Sequence, residues 1–95
     1  MKIVQTPPVE IAIRTLSQED RRRVWAWFNH LANWENDSFV REHSRRLPSS
    51  SNVYVLSTSN DDFRIFFRLE DDRIEILDIA TRSAIMTSGQ SGSGR

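Results

Sequence analysis

The apolar residues of this chain change their spacing once, and that change restricts the fold more than any other feature. From residue 17 to residue 47, apolar residues recur three or four positions apart, which is the spacing of one helix face. After residue 52 they recur at every second position, which is the spacing of a half-buried strand. Three such runs, at 53–58, 63–69 and 74–79, are separated by short acidic breaks that are typical of hairpin turns. The second half is therefore predicted to be an antiparallel meander of three strands.

The N-terminal residues predict a strand followed by a short helical segment. Residues 2–5 form an apolar run that is closed by Thr6 and two prolines, which cannot donate to a strand ladder. In the stretch 9–16 the apolar residues fit a helical stripe and a strand alternation equally well. A short helix is favoured there, because a threonine before prolines is a typical helix start.

Two longer helices are predicted next. Ser17 and the acidic residues after it mark the start of a helix that continues to about Asn33. A second apolar stripe over 39–47 predicts another helix, which Pro48 stops. The order of elements predicts an α+β fold, in which an N-terminal strand precedes a helical hairpin. The hairpin packs on one face of an antiparallel sheet that ends in the three-stranded meander.

Composition excludes several classes of protein. The chain has 95 residues, which corresponds to one domain, expected over 1–86 and followed by a flexible polar tail at 87–95. It has no cysteine and only two histidines, so no metal site and no cofactor are expected. Thirteen basic and thirteen acidic residues cancel, which argues against a polybasic binder of nucleic acid or membrane. No apolar run approaches the length of a membrane span, so a cytoplasmic location without membrane contact is expected.

The middle strand of the predicted meander has two different faces. Its apolar side is expected to pack under the helices, and its other side to form an open face. The apolar side consists of Phe63, Ile65, Phe67 and Leu69, and the open side of Arg64, Phe66 and Arg68.

Three features follow one another in a recognisable order between residues 63 and 82. They are the run Phe63-Arg64-Ile65-Phe66-Phe67, an acidic turn, and a second apolar strand that ends near Arg82. This order resembles the RelE/ParE superfamily of bacterial toxins from type II toxin–antitoxin systems, and the similarity extends over nearly the whole folded region. The resemblance implies a small toxin with a cognate antitoxin, encoded by an adjacent gene. By position, Arg64 matches the family's catalytic arginine, and Arg82 lies where the RelE branch has a second one.

The resemblance leaves three functions open. RelE-branch toxins enter the ribosome and cut mRNA by attack of a 2′-hydroxyl on the adjacent phosphate, whereas ParE-branch toxins block DNA gyrase. The chain departs from the RelE branch by having Val55 and Ser57 in place of two lysines, and Ile85 and Met86 in place of a catalytic tyrosine. The resemblance favours an mRNA-cleaving toxin with an altered active site. The alternatives are a gyrase inhibitor and an attenuated, non-catalytic toxin that mainly binds its antitoxin.

Cleavage of RNA in this way needs a base, positive charge for the pentacoordinate phosphate, and an acid. Besides Arg64 and Arg82, the candidates for binding RNA or its phosphates are Arg68, Arg45, Arg46, His43 and Tyr54. Ordinary structural roles compete with each of these. Arg68 fits a cross-strand pair with Glu75 equally well, and His43 is expected to be a partly buried helical residue.

Two aromatic residues are candidates for binding the antitoxin, namely Trp25 and Phe66, because aromatic side chains often carry the binding energy at interfaces. The last strand, over 74–79, is expected to offer a free edge to the partner. Arg21 and Arg22 are expected on the wet face of the long helix, outside this interface.

Overall fold

The computed structural model describes residues 1–58 and 63–81. Within these ranges there are three helices and five strands: β1 (Lys2–Gln5), α1 (Pro7–Thr15), α2 (Gln18–Ala32), α3 (Ser38–Glu42), β2 (Ser44–Arg46), β3 (Val53–Ser57), β4 (Phe63–Leu69) and β5 (Arg73–Thr81). None of the helices in these ranges is long and apolar enough to cross a membrane. The predicted tail at 87–95 lies outside the described residues.

The five strands form one sheet in the order β1-β5-β4-β3-β2. Strands β2 to β5 pair in antiparallel fashion, and β1 pairs with β5 in parallel. The predicted α+β fold and its three-stranded meander are thus confirmed. The parallel strand β1 completes the sheet on one side.

Strand β2 was not predicted, and the helix expected through residue 47 is wrong. The helix α3 ends at Glu42, and the chain then extends so that Ser44 and Arg46 lie opposite Leu56 and Tyr54 of β3. The local sequence has no strand signal there. Pairing with β3 supplies backbone hydrogen bonds that outweigh the local helical pattern, as tertiary contacts often do for short segments.

The expected free edge of the last strand is also wrong. Strand β5 lies between β1 and β4, because Ile3 and Gln5 of β1 pair with Ile74 and Ile76. The hydroxyl of Thr6 reinforces this pairing by donating to the carbonyl oxygen of Ile76 at 2.8 Å. Among the described residues, the two edges of the sheet are therefore β1 and β2.

In α1 and α2, the helix starts and the buried apolar faces agree with the sequence prediction. In α1, Val9 and Ile13 are buried and Ile11 is 59% exposed, which decides for the helix and against the strand. In α2, the Ser17 hydroxyl caps the N-terminus by accepting a hydrogen bond from the backbone N–H of Asp20 at 3.1 Å. The buried face of α2 consists of Val24, Phe28 and Leu31.

The core lies between the helices and one face of the sheet, and a bulge in β5 keeps it apolar. Phe66 lies opposite Asp78 and Phe67 lies opposite Ile76, so Leu77 is one residue too many for a regular ladder. The bulge returns Ile79 to the buried face and leaves Asp78 exposed. A regular alternation of side chains along β5 would place Asp78 on the buried face with Ile76. It therefore holds only as far as Ile76.

Candidate functional site

A pocket of about 590 Å³ lies on the sheet face that the helices leave open. Its walls come from the end of α3 and from β2, β3 and β4. The pocket is lined by Glu42, His43, Ser44, Arg45, Val55, Ser57, Thr58, Arg64 and Phe66. Among these described residues two are arginines and one is a carboxylate, so positive charge prevails in this part of the lining.

Strand register explains why Arg45, Phe66 and Arg64 meet here. Arg45 lies opposite Val55, and Val55 lies opposite Phe66, so the three side chains share one face of the sheet. Arg64 is two residues from Phe66 on β4 and therefore also points to this face. It is exposed, with Ser57 and Ala80 as its cross-strand neighbours. A phosphate in the pocket would meet guanidinium groups from two strands, β2 and β4.

His43 enters the same pocket from the end of α3, where it is the C-cap residue. Its Nδ1 lies 2.9 Å from the backbone carbonyl oxygen of Phe39. Its ring is 4.2 Å from the ring of Phe39 and 6.4 Å from that of Trp27, measured between centroids. The residue is partly buried, as the sequence predicts. His43 is one of the predicted candidates for contact with RNA, and the early end of α3, which was not predicted, places it in the pocket.

Of the comparisons with known proteins, the one with solved structures bears on the architecture. No family model matches the sequence, and no curated protein matches it. Solved structures do match. The isolated E. coli RelE toxin is 10% identical, with a TM-score of 0.66 over 96% of each chain. A chain of the RelB–RelE antitoxin–toxin complex from Methanococcus jannaschii is 12% identical, with a TM-score of 0.65 over 90% of this chain and 96% of that one. The chain has the RelE fold.

A third match, in the intact E. coli RelBE toxin–antitoxin complex, has 10% identity and a TM-score of 0.66 over 84% of this chain and 94% of that chain. At such identities the likeness is one of fold. The resemblance predicted from residues 63–82 is confirmed at that level. Within this RelE fold, Val55 and Ser57 both line the pocket.

The RelE fold separates Tyr54 and Arg46 from the pocket. Tyr54 alternates with Val55 and so lies on the helix-covered face, where its ring stacks on Phe67 at 5.6 Å and meets Trp34 edge-on. Arg46 lies opposite Tyr54 and donates to the carbonyl oxygen of Ser50 at 2.8 Å. The structure therefore does not bring these two candidates to Arg64.

Two predicted arginines remain, Arg68 and Arg82. Arg68 is on the open face, but it forms an ion pair with Glu75 across β4 and β5 at 2.6 Å, the arrangement that competed with a functional role. Arg82 lies outside the described residues. Of the candidates for phosphate contact, the described structure brings together Arg64, Arg45 and His43.

The two candidate antitoxin anchors lie on different sides of the molecule. Trp25 is on α2, is 45% exposed, and packs edge-on against Phe28 at 5.3 Å. Phe66 is partly buried in the pocket on the opposite face of the sheet. A single compact contact cannot cover both, whereas an extended segment can.

A second histidine is held in a different way. His30 lies near the end of α2, and its Nδ1 is 2.6 Å from one carboxylate oxygen of Asp37. The other carboxylate oxygen of Asp37 accepts a hydrogen bond from the backbone N–H of Val40 and so caps the N-terminus of α3. The hydrogen bond from His30, followed by that from Val40, lowers the pKa of Asp37. This pair links α2 to α3. In the described part of the chain, no three His, Asp or Glu side chains are grouped as a metal site requires.

Proposed function

We propose that this chain is the toxin of a type II toxin–antitoxin pair and that it inhibits translation by cutting mRNA on the ribosome. The RelE fold and its occurrence in toxin–antitoxin complexes support the first part. The observation that carries the second part is the open-face pocket, where Arg64, Arg45 and His43 are combined.

Two arginines suit the electrostatic requirement of RNA cleavage. When a 2′-hydroxyl attacks the neighbouring phosphorus, negative charge grows on the phosphate oxygens. Guanidinium groups bind such oxygens with two parallel N–H donors and keep their charge at any working pH. Arg64 is the principal phosphate ligand in this proposal, and Arg45 is the second.

The position of Arg45 offers an explanation for the missing lysines. The resemblance assigns one of these lysines to the position of Val55, and Arg45 lies directly opposite Val55 on the neighbouring strand. Directly opposite residues project to the same face, with Cβ atoms about 4.5–5.5 Å apart. A cation that the RelE branch supplies from β3 is thus supplied here from β2. This substitution is the altered active site of the proposed endoribonuclease.

The antitoxin is proposed to wrap around the toxin as an extended segment. Such a segment orders on binding and buries apolar side chains against exposed anchors. Trp25 on the helix layer and Phe66 in the pocket lie far enough apart around the molecule to require this mode. Occupation of Phe66 also places the antitoxin over Arg64, so binding and inhibition follow from one contact.

Induced expression in a bacterial host tests the proposal. Growth should arrest, and mapping of transcript 5′ ends should show new ends within translated regions. A reporter transcript without a ribosome-binding site serves as the matched control and should remain intact. Co-expression of the protein encoded by the adjacent gene should restore growth. Arrest with intact transcripts and a DNA-damage response would instead identify a gyrase inhibitor, and no arrest would leave only antitoxin binding.

A further inference from the structure

The two histidines of the chain differ in what their Nδ1 atoms contact. The Nδ1 of His30 faces a carboxylate, whereas the Nδ1 of His43 faces the carbonyl oxygen of Phe39 at 2.9 Å. A carbonyl oxygen only accepts hydrogen bonds, so the Nδ1 of His43 must carry the hydrogen. In the neutral ring this leaves the lone pair on Nε2, and Nε2 is the atom that can accept a proton.

The ring plane of His43 is fixed as well as its tautomer. Phe39 packs against the ring at 4.2 Å, and Trp27 stacks on Phe39 at 5.7 Å with an interplanar angle of 17°. The aromatic packing and the hydrogen bond to Phe39 together orient the imidazole.

The ring shares a pocket with the proposed phosphate ligands. His43, Arg45 and Arg64 all line it, and among the described residues of that lining Glu42 is the only one with a carboxylate. A phosphate held by the two arginines would have the imidazole at its side. Because a 2′-hydroxyl is attached next to the phosphate that it attacks, a base at this position is within reach of the proton that must leave.

We propose that His43 is the general base of this site, a catalytic role that rests on the proposed function. Nε2 takes the proton of the 2′-hydroxyl while the 2′-oxygen forms its bond to phosphorus. The bond between phosphorus and the 5′-oxygen then breaks with its electron pair on that oxygen. Solvent water protonates the 5′-oxygen, and the imidazolium returns its proton to the hydroxide so formed. The products are a 2′,3′-cyclic phosphate and a 5′-hydroxyl end.

The test is single-turnover cleavage of mRNA on purified ribosomes, measured between about pH 5.5 and 8.5. For the unmodified toxin the rate should rise with pH over the range in which an imidazole loses its proton. His43→Gln should lose at least about a hundredfold in rate, the contribution typical of a general base. It should also lose this pH dependence. His30→Gln is the matched control, since His30 is outside the pocket, and it should keep both rate and profile.

Chemical rescue separates catalysis from structure. His43→Gly with added imidazole should regain cleavage, whereas His30→Gly should not respond to it. An unchanged rate in His43→Gln, or a reduced rate with an unchanged pH profile and no rescue, overturns the role of His43 while leaving the toxin proposal intact. Absence of cleavage by the unmodified toxin overturns the proposed function, and the role of His43 with it.

Discussion

The two faces of strand β4 have the same length and backbone, but they perform different tasks. On the helix side, Phe63, Ile65 and Phe67 are at most 2% exposed and form the centre of the core. On the open side, Arg64 is exposed and Phe66 lines the pocket. Folding therefore depends on one face of β4, and the proposed chemistry depends on the other. Substitutions on the two faces should therefore have separable effects.

The open face is itself divided between its two arginines. Arg68 is engaged by Glu75 on the adjacent strand, and the pocket lining does not include it. Arg64, four residues earlier, lies in the pocket beside His43 and Arg45. The same residue type on the same face is thus assigned to structure at one end of the strand and to phosphate binding at the other.

The largest expected effect is on the buried face. Phe67→Ala should lower the free energy of unfolding by about 3–5 kcal/mol, because it removes a fully buried ring and leaves a cavity. Phe66→Ala, one residue away on the open face, is the matched control and should cost about 1 kcal/mol or less. Urea denaturation of both variants measures the difference. Equal losses would mean that the two faces are not distinct.

The next effect concerns the antitoxin. Phe66→Ala and Trp25→Ala should each weaken antitoxin binding by about tenfold or more, since each removes an aromatic anchor. Arg22→Ala is the control, because Arg22 is exposed on the same helix as Trp25. Arg21 is partly buried, contrary to its expected place on the wet face, and is a poorer control. Titration calorimetry measures these affinities. A larger loss of antitoxin affinity in Arg22→Ala than in the two aromatic variants would show that the interface is mainly electrostatic.

A smaller effect lies away from both faces and depends on pH. The pKa of Asp37 is lowered in the folded state, first by the hydrogen bond from His30. The ionised carboxylate therefore stabilises the fold above its unfolded pKa, and this contribution is lost as the pH falls through the lowered folded pKa. In Asp37→Asn the free energy of unfolding should depend less on pH in the acid range, and the pocket on the open face should be unaffected. An unchanged acid dependence would show that the pair contributes nothing.

The smallest expected effect is at Arg68. Arg68→Ala should lower stability by about 0.2–1 kcal/mol, the range of a cross-strand charge pair, because both partners keep access to water. Toxicity in induced cells should remain close to that of the unmodified chain. Glu75→Gln should reproduce the small stability change. A loss of toxicity in Arg68→Ala alone would extend the phosphate site along the whole open face.

The sequence predicted those parts of the fold that repeat locally. Helix α2 and strand β4 follow from periodic apolar residues and a serine cap, and the alternation on β4 correctly separates Phe67 from Arg64. Strand β2 could not be predicted, because Ser44 to Arg46 form a strand only through pairing with the distant β3. The bulge at Leu77 likewise depends on the partner strand.

The site was predicted in part for the same reason. Arg64 and Phe66 lie on the predicted open face, but Arg45 and His43 reach the pocket through the unpredicted turn from α3 to β2. The alternation of side chains along β3 already excludes Tyr54 from the pocket. Tyr54 and Val55 alternate along β3, so a tyrosine on the face of Leu56 cannot also share the face of Arg64.

The open-face pocket is proposed to bind the scissile phosphate, and this claim is tested by the rate of mRNA cleavage on purified ribosomes. Arg64→Ala should reduce that rate by about 10²–10³-fold, as loss of a transition-state charge ligand does. Its unfolding free energy and its antitoxin affinity should remain close to those of the unmodified toxin, because the side chain is exposed on the strand. Arg64→Lys keeps the positive charge but loses the two parallel N–H donors of the guanidinium group. Its cleavage rate should fall between those of Arg64→Ala and the unmodified toxin. Equal cleavage rates for Arg64→Ala and the unmodified toxin would contradict the claim.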